Sequence, residues 1–182
     1  MKKIGFIGAY DKTDLLIYIA KLLVENDVKV LIVDATTLQK TRYTVPCIMP
    51  SRKYITTYED MDIAIGFENL QEIMNYAGTQ DFNYDIMLLD IDNRKAFEDF
   101  EMYTSDKNYF VTAFDNYSIK KGLETVGQSE EKMLMTKILF SKNMDRDEDE
   151  YLNFLSFYYA VKWSKEKIYF PFEAGDSSVI VQ

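Results

Sequence analysis

The chain has 182 residues, of which 47% are hydrophobic and 28% are charged, a composition typical of a folded globular protein. Its net charge of −9 disfavours nonspecific binding to nucleic acid or to an anionic membrane surface, because both depend on Lys and Arg. The sequence contains no histidine, which excludes Ser-His-Asp and Cys-His catalysis and the common histidine metal sites.

The cysteine content and the N-terminus predict a cytoplasmic protein. The single cysteine, Cys47, cannot form an intrachain disulfide. The run that follows Met1 is too short for a signal peptide, and no segment approaches the ~20 apolar residues of a membrane span. We expect one domain over residues 1–182, without a membrane segment.

The first 34 residues predict a strand, a helix and a second strand. An apolar run at Lys3–Ile7 ends at Gly8, and residues Leu15–Leu23 carry apolar side chains at helical spacing. The run Val28–Val33, which Asp34 ends, lacks polar alternation. That lack is typical of a parallel strand covered on both faces.

The remaining chain continues to alternate. Residues 36–51 are expected to be irregular, with a short extended piece at Tyr43-Thr44-Val45. The later predictions are strands at Ile63–Phe67, Tyr84–Asp90, Tyr109–Phe114, Lys132–Phe140 and Lys167–Phe170, helices at Glu68–Tyr76, Ile119–Val126 and Asp147–Trp163, and an extended end at Ser177–Val181. This alternation predicts an α/β fold, a doubly wound, mostly parallel sheet with helices on both faces.

The helix predicted at Asp147–Trp163 carries an unusual number of aromatic residues. Their three-to-four spacing predicts that this face packs into the core. An interface with a second copy or with a protein partner is the alternative, because Tyr and Trp are enriched at interfaces.

Polar segments follow three of the predicted strands. They are Gly8-Ala9-Tyr10-Asp11-Lys12-Thr13, Asp34-Ala35-Thr36-Thr37 and Asp90-Ile91-Asp92-Asn93. Ligands of open α/β sheets bind at the carboxyl ends of the strands, so these segments form the candidate site. The alternative is structural, with Lys12-Thr13 as a solvent-facing helix start and Asp34 and Asp90 as ordinary loop acids.

The order of these elements resembles that of the deviant Walker ATPases of the ParA/MinD type. The resemblance rests on Lys-Thr opening a helix, on a Val-Leu-Ile-Val-Asp strand and on a strand from Tyr84-Asp85 to Asp90, and it covers Lys3 to about Pro171. The group includes partition ATPases, division-site selectors and TadZ/CpaE-like pilus-positioning proteins. The resemblance implies a P-loop NTPase-like fold, and further helices after Pro171 where this sequence ends at Gln182.

The resemblance also implies roles for individual residues. Lys12 matches the phosphate-binding lysine, and Thr13 matches the hydroxyl that binds magnesium. Asp34 matches the acid that positions water and metal, Asp90 matches the Walker B aspartate, and Asp92 lies where the switch region begins. The implied cofactors are ATP and Mg²⁺, with Thr13, Asp34 and Asp90 as metal ligands and Asp34 and Asp90 as catalytic acids.

The phosphate-binding loop departs from the family pattern. Only Gly8 remains of the glycines, and Asp11 stands directly before Lys12, where its carboxylate would repel a phosphate. The loop also lacks the additional lysine with which this family reaches across its dimer. We therefore expect a degenerate member that acts as a scaffold or positioning factor through protein contacts, as a homodimer. ATP with Mg²⁺ and the absence of any cofactor are equally open expectations.

Two alternatives stay open. One is an active switch, in which Mg-ATP bound by Gly8, Asp11, Lys12, Thr13 and Asp92 drives dimerisation and is hydrolysed. The other is a receiver-like or flavodoxin-like signalling domain, in which Asp11 with Asp90 would loosely imitate the acids of a receiver.

Overall fold

A computed structural model describes residues 1–47, 51–141 and 146–171, and for residues 146–148 the backbone alone. The strands are β1 (Lys2–Ile7), β2 (Val30–Asp34), β3 (Tyr54–Tyr58), β4 (Met61–Ile65), β5 (Ile86–Ile91), β6 (Lys107–Ala113), β7 (Met133–Phe140) and β8 (Val161–Phe170). The helices are α1 (Thr13–Val24), α2 (Thr41–Thr44), α3 (Leu70–Ala77), α4 (Arg94–Asp99), α5 (Asn116–Val126) and α6 (Arg146–Leu155), with single 3₁₀ turns at Met102–Thr104 and Ser156–Tyr158.

The eight strands form one sheet in the order β3-β4-β2-β5-β1-β6-β7-β8. Neighbouring strands are parallel except for β3 and β4. The predicted doubly wound, mostly parallel sheet is thereby confirmed. The receiver-like or flavodoxin-like alternative is wrong, because that fold places its second strand beside the first, whereas β5 here lies between β2 and β1.

The sheet has a hydrophobic layer on each face. Leu15, Leu16 and Ala20 of α1 pack with Phe6 and Leu88 on one face. Residues of α3, α4, α5 and α6 pack on the other face, including Ile73, Phe97, Leu123 and Leu152. Successive strand residues point to opposite faces, so the strands that are buried on both sides lack polar alternation, as the sequence indicated for β2.

Strand β3 was missed. It forms a hairpin with β4 through Glu59 and Asp60, which both have positive φ angles, 47° and 62°. Two-residue hairpin turns favour this geometry, but their usual sequence signal is Asn-Gly or Asp-Gly. Because Glu-Asp carries no such signal, the turn was not recognised.

Two short helices also differ from the predictions. Tyr43 and Thr44 belong to α2 and are not extended, although Val45, which ends the helix, is extended as predicted. Helix α4 was not predicted at all. It begins after Asn93, whose side chain accepts a hydrogen bond from the Ala96 N–H at 2.9 Å, as an N-cap does.

The helix predicted over Asp147–Trp163 is wrong in its second half. Helix α6 ends at Leu155, a 3₁₀ turn follows, and Trp163 lies in β8. The core prediction for its aromatic face is wrong for Phe154 and Tyr158, which are each 75% exposed, whereas Tyr159 and Trp163 pack against the core. The extended end predicted at Ser177–Val181 lies outside the described residues.

Candidate functional site

The loop after β1 lies directly against β6. Gly8 has a φ of +146°, and a Cβ added to it would lie 2.2 Å from the Val111 carbonyl oxygen. A side chain at this position would therefore be strained and would clash with the backbone. Gly8 fixes the path by which the chain leaves β1 and enters the candidate site.

Lys12 immediately precedes α1 and is buried, with 2% of the residue exposed. Its Nζ donates hydrogen bonds to the carbonyl oxygens of Gly8 at 2.5 Å and Tyr10 at 3.1 Å. The same Nζ lies 3.0 Å from Oδ1 of Asp90. The interpretation of Lys12 as a solvent-facing residue is therefore wrong.

Asp90, near the end of β5, is also buried. Burial raises the pKa of its carboxyl to about 7, the Lys12 ammonium opposes that shift, and the negative charges of Asp34 and Asp92 add to it. Among the described residues no group donates a well-directed hydrogen bond to Asp90 Oδ1, so this oxygen depends on the Lys12 charge. Asp90 is not an ordinary loop acid.

Asp11 lies just before α1, and its carboxylate accepts hydrogen bonds from two groups. Its Oδ1 accepts the backbone N–H of Thr13 at 3.1 Å, and its Oδ2 accepts from Lys40 Nζ at 2.9 Å. Burial alone would raise the pKa of this carboxyl, but the hydrogen bonds from Lys40 and Thr13 hold the pKa below its ordinary value. Asp11 thus places a carboxylate at a helix N-terminus, where anions bind.

Asp34 is buried at the end of β2, and its carboxylate binds the segment that follows. Oδ1 accepts from the N–H and the hydroxyl of Thr36 at 3.0 and 2.6 Å, and Oδ2 accepts from the Thr41 N–H at 3.2 Å. These bonds fix the turn that leads into α2. Asp34 is likewise not an ordinary loop acid.

Asp92 joins two of the loops at the site. Its Oδ1 accepts from the N–H and the hydroxyl of Thr37 at 2.9 and 3.1 Å, and from the Asn93 side-chain amide at 2.9 Å. The carboxylate therefore connects the segment after β5 to the segment after β2.

The sheet brings the predicted residues to one edge. Asp34 and Asp90 are direct partners in the pairing of β2 with β5. A cavity of about 80 Å³ lies there, lined by Ala9, Tyr10, Asp11, Lys12, Thr13, Thr36, Leu38, Lys40, Asp90 and Asp92. The part of the chain that the structure describes contains no group of three or more His, Cys, Asp or Glu residues placed to hold a metal ion.

The sequence did not indicate Lys40 as a member of this site, and it indicated no role for Tyr10 within its segment. Lys40 reaches Asp11 from the irregular segment after β2, where no motif marks it. Tyr10 stacks on Phe140 at the end of β7, with ring centroids 4.6 Å apart. Burial and the neighbouring Asp11 raise the pKa of Tyr10 to about 12, so the phenol stays neutral and the ring covers the loop.

The described helices include none that is both long and apolar enough to cross a membrane. No family model matches the sequence, and no curated protein matches it.

The structure is similar to several solved structures. The MinD cell division protein of Aquifex aeolicus has a TM-score of 0.54 and 15% identity, covering 95% of this chain and 83% of its own. A ParA family ATPase from Chlorobium tepidum TLS has a TM-score of 0.53 and 14% identity, with 99% and 91% covered. A putative plasmid partition protein from Borrelia burgdorferi B31, solved bound to AMPPNP, has a TM-score of 0.54 and 11% identity, with 96% and 88% covered. The chain therefore has the ParA/MinD-like P-loop NTPase fold that the order of its sequence elements predicted.

Proposed function

We propose that this chain is a ParA/MinD-like protein that no longer hydrolyses ATP and acts through protein contacts, as a scaffold or positioning factor. The observation that carries the proposal is the position of the Asp11 carboxylate. It accepts from the Thr13 N–H and from Lys40, so a carboxylate already uses the donors at the helix N-terminus where a phosphate would bind.

The contacts that Lys12 already makes within the chain support the same conclusion. To reach a phosphate, its ammonium would have to leave the carbonyls of Gly8 and Tyr10 and the carboxylate of Asp90. Breaking a buried ion pair leaves a charge without its partner, which costs about 3–5 kcal/mol. The contacts of a bound nucleotide would have to offset that free-energy cost.

The dimensions and the donor groups of the site also disagree with Mg-ATP. A cavity of about 80 Å³ is smaller than the roughly 300–1,000 Å³ of ordinary ligand sites. The carboxylates of Asp34 and Asp92 already accept hydrogen bonds from neighbouring threonines, and those bonds compete with metal coordination. In this arrangement the residues do not fit a magnesium-bound triphosphate.

Isothermal titration of the purified chain with Mg-ATP and with a nonhydrolysable analogue tests the proposal. We expect no heat and no thermal shift at millimolar nucleotide, and no phosphate release. Binding that is lost in the Lys12→Ala variant, together with phosphate release, would contradict the proposal.

An active Mg-ATP-dependent switch is the second candidate. It is favoured by the burial of Lys12, Asp34 and Asp90 together at one edge of the sheet, as the family resemblance implies. The partition protein solved with AMPPNP also shows that a protein of this fold binds a nucleotide analogue. In this case nucleotide would have to displace Asp11 and draw Lys12 away from Asp90.

A further inference from the structure

A second cavity lies at the edge of the sheet opposite the candidate site, where β6 and β7 begin. Its volume is about 640 Å³, which falls within the roughly 300–1,000 Å³ of ordinary small-molecule sites. Its walls come from residues within 103–108, from the beginning of β7 and from residues 164–166 of β8. None of these residues lines the cavity at the candidate site, so the two cavities are separate.

A bulge in β8 forms one wall of this cavity. On one side of the bulge Met135 pairs with Trp163, and on the other side Lys137 pairs with Lys167. Thr136 of β7 therefore faces three residues of β8, and those three residues line the cavity. Bulges of this kind redirect side chains and are over-represented beside functional sites.

Hydrogen bonds hold the walls in place. Ser164 Oγ accepts from the Glu166 N–H at 3.1 Å and lies 3.2 Å from Thr136 Oγ1. Asn108, which is only 4% exposed, donates from Nδ2 to the Met102 carbonyl oxygen at 3.1 Å. A cavity whose walls are already ordered loses little conformational entropy when a ligand binds.

The cavity is lined by two positive and two negative side chains, Lys107 and Lys165 with Asp106 and Glu166. Lys107 Nζ lies 3.6 Å from a Glu166 carboxylate oxygen, whereas Lys165 forms no ion pair with a described residue. Asp106 Oδ2 accepts from the Lys3 N–H at 2.7 Å, and its Oδ1 accepts no hydrogen bond from the described residues. One ammonium and one carboxylate oxygen are thus left to bind a ligand.

We infer that this cavity binds a small zwitterion of the amino-acid or short-peptide class, with its carboxylate at Lys165 and its ammonium at Asp106. A zwitterion pairs with both groups, whereas a neutral ligand would desolvate them without compensation. The net charge of the chain, −9, disfavours a ligand that is a net anion, such as a nucleotide. The inference goes beyond the proposed function and does not depend on it.

The cavity also favours an apolar side chain on the ligand. Met133 and Leu134 line it, and Leu134 is 60% exposed. A ligand side chain that covers Leu134 removes apolar surface from water, which is favourable by about 25 cal/mol per Å². Leucine and its dipeptide are therefore the probes with matching chemistry.

Isothermal titration of the full chain with L-leucine and with L-leucyl-L-leucine tests the inference. We expect binding with a Kd of about 1 mM or below for at least one of them, and the tighter of the two identifies the source as a free amino acid or a peptide. Isopentylamine lacks the carboxylate of leucine, and 4-methylpentanoic acid lacks its ammonium. Each should bind at least about tenfold more weakly, because it pairs with only one of the two groups.

Two variants locate the site. Asp106→Asn and Lys165→Gln should each weaken binding at least about tenfold. Asp85→Asn is the control for the acid, because Asp85 is also exposed and accepts a backbone N–H, that of Lys29 at 2.9 Å. Lys162→Gln is the control for the lysine, because Lys162 is exposed on the same strand outside the cavity. Circular dichroism checks that all four variants are folded.

The absence of heat with both zwitterions at millimolar concentration overturns the inference. Equally tight binding of the two analogues that lack one charge overturns it as well, as does binding that both Asp106→Asn and Lys165→Gln leave unchanged. Each of these outcomes is independent of ATP turnover, so a failure here leaves the proposed function standing.

Discussion

Lys12 Nζ and Asp90 Oδ1 lie 3.0 Å apart, and their side chains are only 1% and 3% exposed. This buried pair lies where the first and fifth strands end. The pKa of Asp90 is nevertheless raised to about 7, because burial outweighs the attraction of Lys12. The charge state of the pair therefore changes near neutral pH.

The free energy of unfolding should fall as the pH rises from about 4 to about 7 and should then level off. In the unfolded chain Asp90 releases its proton near its ordinary pKa of 3.8, whereas in the folded chain it holds the proton up to about 7. The folded state therefore binds more protons within this window, and stability decreases with rising pH, by an amount on the order of a few kcal/mol. Urea unfolding at a series of pH values measures this.

The Lys12→Met change provides the diagnostic variant for that pH dependence. Without the ammonium the pKa of Asp90 should rise further, so the fall in stability should extend above pH 7. Lys40→Met is the matched control, because Lys40 is half exposed and pairs with Asp11 instead. If the free energy of unfolding had the same pH dependence in Lys12→Met and in the unmodified chain, Asp90 would not be the group that causes the fall in stability.

Gly8→Ala should destabilise the fold by more than about 3 kcal/mol, because it combines a strained φ with a backbone clash. The added Cβ would lie 2.2 Å from the Val111 carbonyl oxygen. Gly78→Ala is the control, since Gly78 also has a positive φ, of +68°, but has no atom near the added Cβ. Its cost should be about 1–2 kcal/mol. Thermal and urea unfolding measure both, and equal costs would remove the clash as the explanation.

The third prediction concerns the buried ion pair between Asp149 of α6 and Lys137 of β7. Asp149 accepts from Lys137 at 2.6 Å and also from Lys167, so Asp149→Asn leaves two lysines without their acidic partner. We expect a loss of about 3–5 kcal/mol of stability. Glu166→Gln, in an exposed pair 3.6 Å from Lys107, should change stability by no more than about 1 kcal/mol. A small effect of Asp149→Asn in urea unfolding would mean that the network contributes little.

The sheet could be predicted from the sequence because its central parallel strands are continuous apolar runs, without the three-to-four spacing of a surface helix. Val28–Val33 and Tyr84–Asp90 are of this kind, and both form strands within about two residues of the prediction. The edge strands β3 and β8 were harder to recognise. An edge strand is exposed on one side, and in β8 the apolar residues are interrupted by Lys162, Lys165 and Lys167.

Local spacing could not separate the end of α6 from the beginning of β8. Aromatic residues at three-to-four spacing fit a helix, and the run Phe157-Tyr158-Tyr159 fits a strand equally well. Tertiary contacts decide the outcome, since Ala160 donates to the Gly127 carbonyl and accepts from Met133. Those partners lie more than 25 residues away, and no local pattern indicates them.

The sequence identified the members of the candidate site but not their partners. Lys12, Asp34 and Asp90 were placed at one edge of the sheet by strand order alone, and they lie there. That Asp11 would accept from Thr13 and Lys40 depends on the path of two loops, which composition does not determine. The functional roles of these residues stay predictions.

The last prediction concerns the carboxylate of Asp11. Asp11→Ala frees the Thr13 N–H and the Lys40 ammonium, so a phosphate group gains two donors and loses a repulsive charge. We expect this variant to give a measurable heat of Mg-ATP binding at millimolar nucleotide, where the unmodified chain gives none, which corresponds to a gain of at least about tenfold in affinity, or about 1.4 kcal/mol. Asp14→Ala is the control, because Asp14 is an exposed acid in the first turn of α1 and its loss changes the net charge equally. If isothermal titration shows the same gain in Mg-ATP affinity for both variants, the effect is one of general charge. A gain confined to Asp11→Ala would mean that the Asp11 side chain occupies the position of the phosphate.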